Sequence, residues 1–242
     1  MKLALECRTD MLEMVQPFAD FDWILAHKVL EDEKYTKFYQ DSGNLKFVDN
    51  SVNEKGAPLS IDDLKKAFDK VQGTYVVAPD YIGDAQKTVN SYMETLEKFP
   101  KGKVVGVIQG PTFVDAFECL RTYGTGIVCV PYDLCSSKEE PPWVMGLRRS
   151  LFVSNIPRDQ GFLVHLLGFT SLDELYWYHG NPIIYTMDTG IPILLGLEGL
   201  DILDPLESKN EPTFNRMEKL ELNQKGWTAI IRNIALLRRH MP

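Results

Sequence analysis

Val104-Val105-Gly106-Val107-Ile108-Gln109-Gly110-Pro111-Thr112 is followed by a helical pattern over Phe113 to Tyr123 and then by the run Gly126-Ile127-Val128-Cys129-Val130. A β-branched run, a helix-length amphipathic stretch and a second β-branched run form one βα unit leading into the next strand. Working outward, the same alternation recurs. Strands are expected at Leu45 to Asn50, Thr74 to Pro79, Phe162 to Gly168 and Ile183 to Met187, and Phe21 to Leu30 can supply an earlier one. Helices are expected at Ile61 to Val71, Asp84 to Phe99, Trp143 to Val153 and Leu172 to Tyr178. Asn223 to Arg239 reads as a closing amphipathic helix carrying Trp227, Ile230, Ile231, Ile234 and Leu237. Strands alternating with helices imply a largely parallel sheet. The expectation is an α/β chain with residues 1–242 in a single domain: a (β/α)8 TIM-like barrel, irregular at its N-terminus and after the seventh strand. About seven strands can be named, and the region Ile191 to Arg216 offers no eighth. The loops are Asp41-Ser42-Gly43-Asn44 and Ser136 to Pro142.

With 242 residues and 44% hydrophobic content, the chain can bury a sizeable core. No apolar run reaches the roughly 18 residues of a membrane helix, and no leader pattern opens the sequence, so no membrane partner and a cytoplasmic location are expected. The formal charge of −8 argues against broad nonspecific nucleic-acid binding. Local basic faces can still form at Arg148-Arg149 with Arg158, at Lys101 with Lys103, or along Arg232 to His240; each can equally be solvated helix surface. Cys7, Cys119, Cys129 and Cys135 show neither CxxC nor zinc spacing, so they read as buried thiols and no metal site is expected. No GxGxxG, GxxxxGK[ST], GxSxG or HExxH occurs, which disfavours dinucleotide enzymes, P-loop kinases, serine hydrolases and zincins; no cofactor is expected.

Reactive groups in parallel α/β folds gather where strands end. Asp49 and Asn50 end one expected strand, Asp80 a second, Gln109 and Gly110 a third, and Asp188 follows Ile183 to Met187. Any one of them can be a turn residue or helix cap, as Gly83-Asp84 before Ala85-Gln86-Lys87 illustrates. Together they would converge on one face. Two carboxylates at a sugar C1′ can divide glycosyl chemistry, Asp188 attacking and Asp49 managing the proton. Asp80 and Gln109 have the acceptors and donors that a guanine edge needs. His165, inside Phe162 to Leu167, reads more readily as a core histidine than as a base. The cluster Tyr176-Trp177-Tyr178-His179 could stack on a base, although helical spacing favours packing.

These elements resemble the tRNA-guanine transglycosylase superfamily, whose members exchange guanine for a 7-deazaguanine through a covalent aspartyl intermediate. Gly106-Val107-Ile108-Gln109-Gly110 resembles the family's GIVQG, in which glutamine and glycine contact the base. His165-Leu166-Leu167-Gly168 with Ser171-Leu172-Asp173-Glu174-Leu175 resembles the element that leads to the nucleophile about twenty residues on, at Asp188. Phe47-Val48-Asp49-Asn50-Ser51 resembles the DSG element, with Asn50 in place of serine. Asp80 matches the base-recognising aspartate, and Pro79 to Asp84 looks like the short viral members. Cys129-Val130-Pro131-Tyr132 departs from the family's glycine-rich base-binding loop. The resemblance covers roughly residues 45 to 200. Neither the zinc site of bacterial tRNA enzymes nor the extra RNA-binding domains of archaeal ones is recognisable. It therefore implies a compact transglycosylase placing a 7-deazaguanine such as preQ0 into DNA, with catalytic Asp188 and Asp49 and substrate-binding Asp80, Gln109, Gly110 and Asn50. For a viral member the location would be the host cytoplasm. The alternatives are the same exchange on tRNA, a catalytically silent nucleobase- or nucleic-acid-binding barrel, and a nucleoside hydrolase using water as acceptor. Ile191 to Leu197 can be core or the interface of a homodimer.

Overall fold

Each β-branched run becomes a short strand because helices cover its outer face and the barrel interior its inner one. The computed structural model describes residues 1–136, 140–169, 171–203 and 211–242. In chain order, the strands are β1 (Lys2–Leu5), β2 (Asp22–Leu25), β3 (Lys46–Asp49), β4 (Tyr75–Val77), β5 (Val104–Val107), β6 (Gly126–Pro131), β7 (Phe162–Leu167) and β8 (Ile184–Thr189). The helices are α1 (Leu12–Val15), α2 (Ala26–Glu31), α3 (Glu33–Asp41), α4 (Val52–Lys55), α5 (Ile61–Val71), α6 (Ala85–Lys98), α7 (Phe113–Thr122), α8 (Pro142–Ser154), α9 (Leu172–Tyr176), α10 (Ile191–Glu198), α11 (Thr213–Met217) and α12 (Gln224–His240).

The strands form one parallel sheet in the order β1-β8-β7-β6-β5-β4-β3-β2. Eight parallel strands with alternating helices make a nearly closed (β/α)8 barrel. Among the described residues, no strand ladder joins β1 to β2, and Asp20 spans that seam. Its backbone N–H donates to the Leu3 carbonyl at 2.7 Å, and its Oδ2 accepts from the Leu3 N–H at 2.8 Å and from Arg238 on α12 at 2.8 Å.

The barrel differs from the sequence expectation at its ends. The N-terminus opens with strand β1, which had no place in the pattern, and is irregular beyond it, where two 3-10 turns flank the four-residue α1 before β2. The run Phe21 to Leu30 divides into β2 and α2, and the eighth-strand gap over Ile191 to Arg216 contains α10 and α11, with residues 204–210 outside the described set. Residues 137–139 of the loop expected at Ser136 to Pro142 also lie outside it. Strand β8 runs two residues past Met187, so Asp188 belongs to the strand and not to the loop after it.

Packing explains the glycine in the opening stretch. A Cβ on Gly106 would sit 2.6 Å from the Tyr123 ring, which lies over β5 while its hydroxyl donates to the Val107 carbonyl at 2.6 Å. Inside the barrel, the His165 ring stacks on Trp23 (centroids 4.4 Å apart, planes 5° apart) and lies 5.8 Å from Phe47. These side chains fill the interior as a layer beneath the carboxyl ends of the strands. Among the described residues, no helix is long and apolar enough to cross a membrane.

Candidate active site

The carboxyl ends of β3, β4 and β5 carry a linked polar network. Both oxygens of Asp80 are taken by side-chain amides: Asn50 Nδ2 donates to Oδ1 at 2.8 Å and Gln109 Nε2 to Oδ2 at 2.7 Å. Asn50 Nδ2 also donates to the Ala78 carbonyl at 2.9 Å, and its Oδ1 accepts from the Val52 N–H at 2.9 Å. Gln109 Oε1 accepts from the Gly83 N–H at 3.0 Å. Burial raises the Asp80 carboxyl to about 6, against the pull of the two amide donors. Asn50, expected to bind substrate, thus spends both of its amide hydrogens orienting Asp80 and tying β3 to β4. Gly110 must be small because a Cβ there would lie 2.7 Å from the Asp115 Cβ and 3.0 Å from the Ala116 nitrogen, against the first turn of α7.

Asp49, at the end of β3, accepts from the Ser51 N–H at 2.7 Å. Ser51 reaches that geometry in the left-handed region (φ 61°), an uncommon conformation for serine that turns the chain into α4. This turn returns Glu54 toward the strand ends. Burial, then the charges of Glu54, Asp188 and Asp80, push the Asp49 carboxyl well above its usual range, against the Ser51 N–H bond that lowers it. Glu6, immediately after β1, is likewise pushed well up by burial and by Glu54, Asp188 and Asp49. Glu54 is raised chiefly by burial. Among the described residues, Glu6 Oε1 and Glu54 Oε2 are buried without a hydrogen-bond partner. The structure therefore gathers Glu6, Asp49, Glu54 and Asp188 within electrostatic reach. Among the described residues, no three His, Cys, Asp or Glu side chains are grouped to hold a metal ion.

Asp188 is oriented from a different side. Its Oδ1 lies 3.0 Å from His165 Nε2 and accepts from the Gly168 N–H at 3.1 Å, while His165 Nδ1 lies 2.8 Å from Thr186 Oγ1. With Nε2–H donating to the carboxylate, Nδ1 accepts the Thr186 hydroxyl. A bulge sets this up, because Val164 pairs with Ile184 but His165 pairs with Thr186, which leaves Tyr185 as the extra residue on β8. Among the described residues, Oδ2 accepts no hydrogen bond.

All four strand-end groups singled out in the sequence, Asp49, Asp80, Gln109 and Asp188, stand at or just beyond the carboxyl ends of their strands. Sequence reasoning missed Glu6, because β1 was not recognised, and Glu54, which a helical turn brings back. It read His165 as core. The histidine is buried, and it also holds Asp188. Asp84 caps α6 by accepting from the Lys87 N–H at 3.0 Å. The aromatic cluster does not reach the site: Tyr176 packs on His240 at the end of α12, whose Arg238 reaches Asp20 before β2, at the opposite end of the barrel. Nor is Arg149 a surface cation; it is 1% exposed and paired with Glu174.

Fold and site together define an α/β barrel whose mouth carries a buried carboxylate cluster beside an amide-clamped aspartate. Comparison with the known protein families and with curated protein sequences finds no match for this chain.

Proposed function

We propose that the protein is a guanine transglycosylase that replaces guanine in DNA with a 7-deazaguanine through a covalent Asp188 intermediate. The observation that carries this reading is the difference in surroundings between Asp188 and Asp49. Asp188 has Oδ1 fixed by two contacts and Oδ2 left for bonding. Asp49 is buried among carboxylates and pushed toward its acid form.

Asp188 Oδ2 attacks C1′ of an extruded deoxyguanosine as the C1′–N9 bond breaks, and Asp49 gives its proton to the departing base. The incoming 7-deazaguanine then attacks C1′ with N9, breaking the aspartyl ester, and its N9 proton returns to Asp49. Asp80 and Gln109 offer the base their remaining lone pairs and amide hydrogen. Extruding the base from a duplex costs a few kcal/mol, to be recovered by contacts in the mouth.

Labelled-guanine exchange on DNA and on tRNA tests the reading. Asp188→Asn is expected to retain the fold and to abolish both exchange and the trapped adduct; exchange persisting in that variant overturns the assignment. Exchange on tRNA alone would correct the polymer. Free base release without incorporation would indicate a hydrolase.

A further inference from the structure

We propose that Arg149 is a positioning residue for Asp188, acting through the single peptide unit between Leu167 and Gly168; this rests on the reading of Asp188 as the nucleophile. Arg149 projects from α8 and is buried with Glu174, which is 0% exposed. Its Nε donates to Glu174 Oε1 at 2.6 Å, and the Tyr178 hydroxyl donates to that same oxygen at 2.7 Å. The two terminal nitrogens also reach backbone carbonyls. Nη1 donates to the carbonyls of Val130 (3.2 Å), Leu167 (2.8 Å) and Gly168 (3.2 Å), and Nη2 to that of Gly168 (3.2 Å). These carbonyls belong to the carboxyl ends of β6 and β7.

The Leu167 carbonyl and the Gly168 N–H are two ends of one peptide plane. Arg149 occupies the first and Asp188 Oδ1 the second. A cation on the carbonyl polarises the amide and strengthens its N–H as a donor, an effect that a low local dielectric enlarges. Gly168 itself is left-handed (φ 65°), and a Cβ there would meet the Tyr132 ring at 3.1 Å, so the turn that presents this amide favours glycine. The Tyr132 N–H gives the Leu167 carbonyl a second donor at 3.1 Å. A buried ion pair is a costly way to hold a helix on a barrel, because apolar residues of similar volume do so without the desolvation penalty. A guanidinium that collects three strand-end carbonyls does what apolar packing cannot: it sets the direction of the amide that holds one oxygen of the nucleophile and leaves the other free.

The peptide can be observed directly. The sequence contains two Leu–Gly dipeptides, Leu167-Gly168 and Leu195-Gly196, so full-length protein labelled with carbonyl-13C leucine and 15N glycine gives one signal from each. Asp188→Asn is expected to move the Leu167-Gly168 signal and so assign it. Arg149→Lys, which keeps the charge but loses the planar fork, is expected to move that signal while leaving Leu195-Gly196 in place. Glu174→Gln, which keeps the guanidinium and removes its charged anchor, is expected to act likewise and serves if the lysine variant does not fold. In labelled-guanine exchange, kcat should fall roughly tenfold to a hundredfold with KM for guanine nearly constant. A Leu167-Gly168 signal unchanged in a folded variant overturns the proposal, as does a loss of kcat that merely follows the folded fraction. Absence of exchange by the unmodified protein on either polymer would instead overturn the transglycosylase reading, and the two signals would still decide whether Arg149 and Asp188 are linked.

Discussion

At the scale of single residues, the site is organised by which oxygen of each carboxylate is already engaged. Asp188 has one oxygen held and one open, whereas Asp80 has both taken by amides. Asp80 also carries a measurable linkage to stability. Its carboxyl titrates at about 6 in the folded chain, against about 4 when unfolded, so the folded state binds the proton more tightly. Ionisation of Asp80 therefore costs nothing below about pH 4; the cost grows between pH 4 and 6 and is complete above that, reaching about 3 kcal/mol. Asp80→Asn cannot ionise. The stability difference between variant and parent should shift in the variant's favour across this window, as read by chemical denaturation at pH 4, 5.5 and 7. A difference that stays constant with pH would show that the carboxyl is not raised.

Elements meet closely where side chains are smallest. Helix α10 crosses α12 at Gly196, where a Cβ would lie 2.4 Å from Ile230 Cγ1 and 2.6 Å from the Ile230 backbone nitrogen. Backbone cannot swing aside as a side chain can, so Gly196→Ala must part the helices and is expected to cost about 1–3 kcal/mol, read as a lower denaturation midpoint. The same crossing is tied by Asn233, fully buried, whose Nδ2 donates to the Pro192 and Leu200 carbonyls at 3.3 and 3.1 Å while its Oδ1 accepts from the Ile202 N–H at 3.1 Å. These bonds and the burial of Ile191 to Leu197 assign that apolar stretch to the core of the barrel's own shell. An unchanged midpoint in Gly196→Ala would mean that the crossing is looser than its contacts indicate.

At the scale of the whole molecule, the barrel has a seam that no strand ladder closes among the described residues. Asp20 supplies the acceptor that β2 does not offer to the buried Leu3 N–H, and Arg238 ties the last helix to the same oxygen. Asp20→Ala is expected to cost about 1–3 kcal/mol, because it strands a buried donor. Hydrogen exchange should show the loss at its origin, with the Leu3 amide exchanging faster while amides of β5 and β6 keep their protection. Uniform acceleration across the sheet would indicate global destabilisation in place of an opened seam.

The alternation of strands and helices was legible in the sequence because buried parallel strands are continuous apolar runs, and periodicity switches visibly between them. Helix α5 falls on its expected residues, and Asp84 caps as its place before Ala85 suggested. Strand β1 was not legible: Leu3-Ala4-Leu5 contains no β-branched residue, and no turn residue marks its start. The strand-end positions of Asp49, Asp80, Gln109 and Asp188 were likewise fixed by local pattern, since a strand's direction and length place its last residues at the mouth. Contacts between elements distant in sequence were a matter of tertiary structure alone. Only the assembled barrel brings Glu6 and Glu54 within electrostatic reach of Asp49, sets His165 and the Gly168 amide on one oxygen of Asp188, and buries Arg149 behind the peptide that holds it. Hydrophobic periodicity records which face a residue turns inward, but not which group from another strand it will meet there.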